Sequence, residues 1–166
     1  MNLEIKKYGN PILRQETETI KEINSKVTKL AYNMIKTMYS LYGIGIAAPQ
    51  VGFPLKLCIV MDQKYKKAII MINPKIIPGK TKIKNKEGCL SIPGFYENIE
   101  RFNKIIVNYT DLNNKHHIIE AYDMFSVIVQ HEIDHLNGKL FIDYLSKTRK
   151  EIIENEIKKR KDLKIW

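Results

Sequence analysis

The chain has 166 residues, of which 44% are hydrophobic and 28% charged, a balance typical of a globular protein with a single domain. Its formal net charge of +10 can indicate an RNA or ribosomal partner, but Lys, Ile and Asn are abundant throughout the chain, which favours a composition bias over a binding patch. No stretch approaches the roughly 18 apolar residues of a transmembrane helix, and residues 1–15 lack the apolar core of a secretory signal. We therefore expect a cytoplasmic protein without a membrane partner.

The first predicted element is a helix over residues 25–42, where apolar side chains recur at helical spacing. Ser25 is the predicted N-cap and Gly43 the predicted stop. The segment GIGIAAPQVG (43–52) then reads as a glycine-punctuated loop. It lacks the GKS or GKT ending of a phosphate-binding loop, but its Gln50 could donate a side-chain amide hydrogen to a developing oxyanion.

Strands and two further helices follow. Segments rich in β-branched residues predict four strands, over 55–62, 67–77, 99–109 and 116–121. The last two are predicted to form a hairpin joined across DLNNK. A helix is predicted over 123–137, with Asp123 as a possible cap and Gly138 just beyond its end. An amphipathic, basic helix is predicted over 146–164. Together these elements predict an α+β fold, with short, mostly antiparallel strands around a central helix and one domain spanning 1–166.

The stretch QHEIDHLNG (130–138) carries the most informative pattern. His131 and His135 are four residues apart, so on a helix they share one face and can bind one metal ion. Glu132 is rotated by about 100° from His131 and could take a proton from a metal-bound water. Met124 and Ile128 extend the same face as an apolar stripe. The alternative is a surface helix with two solvated histidines.

Two histidines leave a catalytic metal site incomplete, since such sites usually have three protein ligands. Phe141 stands where HExxHxxGxxH proteases carry their third His, and Glu154 and Glu156 lie near the distance found in thermolysin-like proteases. Cys89 is the better candidate, because a thiolate binds borderline divalent metals strongly. Its neighbours, with a turn at 93–94, place it on a short exposed segment rather than in a core strand.

Three motifs in this order and near these spacings closely resemble peptide deformylases: GIGIAAPQ (43–50), EGCLS (87–91) and QHEIDH (130–135). The resemblance extends from LRQETETI (13–20) to FIDYLS (141–146). It implies that Glu132 is the general base and then the acid, and that Gln50 and the backbone N–H of Leu90 are the oxyanion donors. The implied metal ligands are Cys89, His131 and His135.

The resemblance also implies a peptide-binding pocket. The backbone of Gly45 would meet the peptide, and the residues bordering the methionine side chain would be Ile44, Tyr96, Met124, Val127 and Ile128. Tyr96 departs from the charged residue common there in bacterial relatives.

The implied reaction is hydrolysis of nascent N-formyl-Met peptides to formate and a free amine, with a metal-bound water attacking the formyl carbon. The implied metal is Fe²⁺, with Zn²⁺ or Ni²⁺ able to replace it. The basic C-terminal helix, with KKRKDLK at 158–164, would contact the ribosome, and no DNA partner is expected. Two alternatives stay open: a zinc endopeptidase that uses Glu154 or Glu156 as third ligand, and a non-enzymatic basic protein that docks on RNA.

Overall fold

The computed structural model describes residues 2–64 and 66–166 and has an α+β architecture, as predicted. In that part of the chain there are three α-helices: α1 (Ser25–Ser40), α2 (Asp123–Leu136) and α3 (Lys147–Asp162). Short 3₁₀ helices lie at Pro11–Arg14, Ala48–Val51 and Phe141–Tyr144. The strands are β1 (Gly45–Ala47), β2 (Leu57–Asp62), β3 (Lys67–Pro78), β4 (Lys82–Cys89), β5 (Ile92–Phe102), β6 (Lys104–Thr110) and β7 (His116–Tyr122). They form a five-stranded sheet in the order β1-β2-β3-β6-β7 and a two-stranded sheet of β4 and β5, with antiparallel pairing between neighbours.

Helix α1 confirms the periodicity of the sequence, but its cap differs from the prediction. Asn24 is the N-cap, and its side chain accepts two backbone N–H groups of the first turn, whereas Ser25 is the first helical residue. The helix ends at Ser40, two residues earlier than predicted. Gly43 lies just beyond the end, and its N–H donates to the carbonyl of Met38 at 2.9 Å.

The segment read as a loop contains a strand and a 3₁₀ helix. Its apolar residues Gly45–Ala47 add β1 to the edge of the large sheet, where Ala47 lies opposite the fully buried Cys58 of β2. The chain then turns into the 3₁₀ helix Ala48–Val51. The side-chain oxygen of Gln50 accepts the N–H of Ala47 at 2.8 Å, which fixes the orientation of its amide.

The prediction of one strand over 99–109 is wrong, because the chain changes sheets within it. Strand β5 ends at Phe102 and β6 begins at Lys104. Asn103 lies between them. Its N–H donates to the carbonyl of Thr81 and its carbonyl accepts the N–H of Asp123, both at 2.9 Å, so its backbone hydrogen bonds belong to neither strand. The predicted hairpin itself is confirmed, since β6 pairs with β7.

Strand β4 and most of β5 were absent from the prediction. In residues 82–86 exposed lysines alternate with the half-buried Ile83 and Asn85, so a single apolar residue is too weak a signal for a core strand. The ladder places Gly88 opposite Tyr96 and shifts register before Cys89. Cys89 therefore lies at the end of a strand and is half-buried, whereas the sequence predicted a short exposed segment. Residues 93–94 lie within β5 and not in the predicted turn.

Helix α2 lies at the centre, packed against the large sheet and also contacting β4 and β5. Its N-terminal residue is Asp123, which has a φ of +49°, and the N-cap is Tyr122, which makes no side-chain cap hydrogen bond. The predicted Asp123 cap is therefore wrong. The helix ends at Leu136, with Gly138 in the left-handed region as predicted. Its apolar residues form one core cluster with the sheet: Ile128, Val129, Ile133 and Leu136 against Ala47, Cys58, Val60 and Met71.

Helix α3 begins after Ser146, whose side chain accepts the N–H of Arg149 at 3.3 Å. Its only buried residues, Ile153 and Ile157, pack in a cluster with Ile92 of β5, so the helix covers the small sheet. Apart from the exposed Ile152, the rest of its surface is polar, with more basic than acidic residues. None of the helices in the described ranges has the length and apolar character needed to cross a bilayer.

The close approach of Gly138 to the N-terminal segment gives a stability prediction. Its φ is +67°, and an added Cβ would lie 2.7 Å from the carbonyl oxygen of Arg14. Gly52 also has a positive φ, +90°, but a Cβ there would meet only the flexible end of Lys6 at 3.3 Å. We expect Gly52→Ala to lower the free energy of unfolding by about 1 kcal/mol and Gly138→Ala by about 2–4 kcal/mol. Urea unfolding measures both, and equal losses would contradict this account.

Candidate metal centre

Cys89, His131 and His135 come together where the end of β4 meets α2. One ligand atom from each lies within 4.8 Å of the others, and the described residues contain no second such group of His, Cys, Asp or Glu side chains. The Cys89 sulfur is 3.3 Å from Nε2 of His135. The two imidazole rings meet edge to face with their centroids 5.1 Å apart. The four-residue spacing thus aims both rings at the thiol.

These residues fit a divalent metal ion. One thiolate and two imidazoles form a donor set for borderline metals, and three protein ligands leave a position open for substrate. Within the described residues, Oε2 of Glu132 and Nδ1 of His135 are buried without a hydrogen-bond partner. A buried carboxylate oxygen without a donor is costly, and a cation beside it would offset that cost. Burial lowers the pKa of His135 well below its usual value, which keeps its imidazole in the neutral, ligating form.

An ion-pair network orients His131 from behind. Its Nδ1 lies 2.8 Å from Oε2 of Glu87, which leaves Nε2 to face the Cys89 side. Arg101 binds Glu87 through Nε at 2.7 Å and Nη2 at 3.0 Å, and binds Asp134 of α2 through Nη1. Burial would raise the pKa of Glu87, but hydrogen bonds with His131 and Arg101 outweigh it and lower that pKa. The carboxylate therefore stays ionised behind the imidazole, an arrangement that fixes the ring and raises its basicity.

Glu132 lies beside the ligands, against the backbone of Gly45. A Cβ at Gly45 would overlap the Glu132 side chain, with the carboxyl carbon only 2.8 Å away, so a glycine is required there. Glu132 is only 4% exposed. Burial raises the pKa of Glu132 to about 7, although the nearby His131 opposes the shift. A carboxyl group with a pKa near neutrality is suited to accept and return a proton.

Gln50 and the segment after Cys89 surround the sulfur with donors. The Gln50 amide nitrogen lies 3.4 Å from the sulfur of Cys89 and 3.3 Å from the hydroxyl of Ser91. The Ser91 backbone N–H also donates to that sulfur at 3.4 Å. Because Ala47 fixes the other end of the Gln50 amide, its N–H₂ group points into the site.

A cavity of about 600 Å³ opens over these residues, and every residue predicted for catalysis or peptide binding lines it. Val127 and Ile128 are buried in its wall, whereas Tyr96 and Met124 are exposed on its rim. Lining residues that the sequence did not predict for the site include Lys7, Leu41, Tyr42, Lys86, Glu87 and Phe95. Glu87 could have been found as the carboxylate two positions before the thiol in EGCLS. Arg101 lies in no comparable motif, so the sequence did not point to its role.

Glu154 and Glu156, the alternative third ligands, do not reach the site. Glu154 accepts a hydrogen bond from the hydroxyl of Tyr8, and Glu156 pairs with Arg160 one turn further along α3. Neither residue lines the cavity or belongs to the cluster of ligand atoms. The endopeptidase interpretation is therefore left without a third metal ligand.

The fold and the Cys–His–His site, with a buried glutamate beside it, define a metal-dependent hydrolase.

Comparisons with known proteins identify the family. The polypeptide deformylase family model matches residues 2–151. The chain is 51% identical to a peptide deformylase of Endomicrobium trichonymphae, over 99% of this chain and 98% of that protein. It is also similar to the crystal structure of a peptide deformylase from Ehrlichia chaffeensis, with a TM-score of 0.92, 32% identity and full coverage of both chains. A structure of a peptide deformylase from that organism in complex with actinonin has a TM-score of 0.91 and 35% identity, covering 96% of this chain and 97% of that one.

The chain belongs to the polypeptide deformylase family. It is a metal-dependent enzyme that removes the N-terminal formyl group of nascent peptides.

The Glu87 carboxylate gives a prediction for metal affinity. Glu87→Gln keeps the shape of the side chain but removes the charge behind His131, so the affinity for a divalent ion should fall about 10- to 100-fold. Transfer of the ion to a chromophoric chelator measures this. Glu97→Gln is the matched control, because Glu97 lies opposite Glu87 in the β4–β5 ladder and pairs with Arg149 on the surface. Equal affinities of the two variants would remove Glu87 from the support of the metal.

Proposed function

We propose that the chain deformylates formyl-methionyl peptides with a single divalent ion held by Cys89, His131 and His135. The observation that carries this proposal is the convergence of those three ligand atoms beside the buried carboxylate of Glu132, in a cavity open to substrate. The reaction breaks the C–N bond of the formamide. Its products are formate and a peptide with a free amino terminus.

The proposed ion is Fe²⁺, with Zn²⁺ or Ni²⁺ able to occupy the same ligands. A donor set of one thiolate and two imidazoles suits all three metals, and the family resemblance supports iron. When bound, such an ion polarises the carbonyl oxygen and lowers the pKa of water in the site. The protein contributes the rigid placement of the ligands through Glu87 and Arg101.

Glu132 moves the proton in this proposal. Its carboxylate accepts a proton from the attacking water and delivers it to the leaving nitrogen, so one group serves both halves of the hydrolysis. The raised pKa of Glu132, about 7, matches both transfers. Its side chain extends from α2 against the backbone of Gly45, which leaves it little freedom to rotate away.

Two donors would hold the negative charge that develops on the formyl oxygen. The Gln50 amide is fixed by Ala47 and lies within 3.4 Å of the Cys89 sulfur, so it faces the reacting position. The backbone N–H of Leu90 is the proposed second donor, since Leu90 follows the thiol directly and lines the cavity. Preorganised donors of this kind lower the barrier because they need no rearrangement during reaction.

The methionine side chain would occupy the apolar part of the cavity. Val127 and Ile128 of α2 are buried in its wall, and Ile44 lies beside the backbone of Gly45 that would meet the peptide. Met124 and Tyr96 complete the border at the rim. An unbranched, flexible thioether fits such an irregular apolar wall.

Glu132→Gln separates metal binding from chemistry. A carboxamide has nearly the same size but cannot accept a proton near neutral pH, so the variant should keep one metal per chain and lose about 10²- to 10⁴-fold in turnover. The loss should appear in kcat more than in KM. Metal content and single-turnover deformylation measure both effects. His131→Ala should lose the metal itself, and Glu154→Ala should lose neither. A Glu132→Gln variant with near-full rate would contradict the proposed role.

We also propose that all of residues 1–166 act as one catalytic domain that works in the cytoplasm, where nascent chains emerge, with α3 contacting the ribosome. Lys158 and Lys159 are exposed on α3, whereas Ile153 and Ile157 on the same helix are buried in the core. The exposed basic residues support an RNA contact through phosphate neutralisation.

Neutralising charges tests the ribosome contact more cleanly than removing α3, which would expose the core. Lys158→Gln with Lys159→Gln should weaken co-sedimentation with ribosomes, most clearly at low salt. The control pair is Lys80→Gln with Lys115→Gln, which removes the same charge from other exposed positions. If both pairs weaken binding equally, the helix has no specific part in it.

A further inference from the structure

The charges around the substrate cavity are unevenly distributed. Two lysines, Lys7 and Lys86, line it and are exposed. The two acidic residues that line it, Glu87 and Glu132, are both buried. Glu87 is moreover engaged by Arg101 and His131. A peptide entering the cavity therefore meets positive charge at the mouth and no exposed carboxylate among the lining residues.

Each of these lysines lies over an aromatic ring. The Lys86 ammonium is 5.7 Å from the ring centroid of Tyr96, and the Lys7 ammonium is 5.6 Å from that of Trp166. Cation–π contacts at such distances favour a defined position for a flexible side chain. Within the described part of the chain, neither lysine has a carboxylate within salt-bridge distance. Their charges are thus available to a ligand.

The two rings are themselves held in place. The Tyr96 ring lies across Gly88, where an added Cβ would be 2.6 Å from a ring carbon. Trp166 contacts Phe95, with ring centroids 6.3 Å apart, and Phe95 lies under the guanidinium of Arg160 at 4.5 Å. Both ammonium groups therefore rest on supported surfaces beside the site rather than on mobile loops.

We propose that Lys7 and Lys86 form a cationic rim that selects among nascent peptides. The inference rests on the proposed function, since the formyl-methionyl end occupies the cavity and the following residues must pass its mouth. Acidic side chains directly after methionine are favoured there, and Lys or Arg side chains are repelled. Exposed charges interact weakly in water, so the selection amounts to a several-fold preference and not to exclusion.

Three peptides test this rim: formyl-Met-Asp-Ser, formyl-Met-Ala-Ser and formyl-Met-Lys-Ser. At low salt we expect kcat/KM for the Asp peptide to exceed that for the Lys peptide by roughly five- to tenfold, mostly through KM. Lys7→Gln combined with Lys86→Gln should reduce this ratio to less than about twofold, and Lys86→Arg should preserve it. High salt should reduce the ratio of the wild-type enzyme, because exposed charges are screened.

Lys84→Gln is the matched control. Lys84 is exposed on β4 two residues before Lys86 and carries the same charge, but it does not line the cavity. This variant should keep the wild-type ratio. Failure to deformylate formyl-Met-Ala-Ser would overturn the proposed function itself. Normal turnover of that peptide, with an Asp-to-Lys ratio that the double variant leaves unchanged or that Lys84→Gln lowers equally, would overturn the cationic rim.

Discussion

The buried guanidinium of Arg101 joins the two elements on which the metal centre depends. It lies on β5, binds Glu87 of β4 and Asp134 of α2, and is only 3% exposed. Strand β4 carries Cys89 and α2 carries both histidines, so the Arg101 side chain links the strand of the thiol to the helix of the imidazoles. Buried ion pairs add little net stability because desolvation opposes their attraction, but loss of one partner leaves uncompensated charge. Arg101 therefore specifies the position of the site more than it stabilises the fold.

Features of the backbone position the side chains around this junction. Gly45 leaves room for the Glu132 carboxyl, and the register shift before Cys89 lets the sulfur leave the ladder and face α2. Gln50 is locked by Ala47 on the other side. Burial of the Glu132 carboxyl raises its pKa towards neutrality, and hydrogen bonds are stronger in such surroundings than in water. Folding thus places a carboxyl with a pKa near neutrality beside the three ligand atoms, as the proposed proton transfer requires.

The parts that the sequence predicted are those with local signals. The His pair and the apolar stripe of α2 follow from helical periodicity, and Cys89 followed from thiolate chemistry and an incomplete ligand set. Strand β4 was missed because Ile83 is the one apolar residue among its lysines and asparagine, which is too few to mark a buried face. Strand β5 was merged with β6 because only tertiary contacts of Asn103 separate them. Arg101 was missed because its partners lie 14 and 33 residues away. Contacts between residues this far apart in the chain produce no periodic pattern in the sequence.

Formate release from formyl-Met-Ala-Ser by anaerobically purified protein, with the bound metal quantified in the same sample, tests the proposed chemistry most directly. We expect one divalent ion per chain and one formate for each free amino terminus produced, with activity lost and regained as the ion is removed and restored. Protein that releases formate without a bound metal, or that carries a metal but cleaves internal peptide bonds and releases no formate, would contradict it.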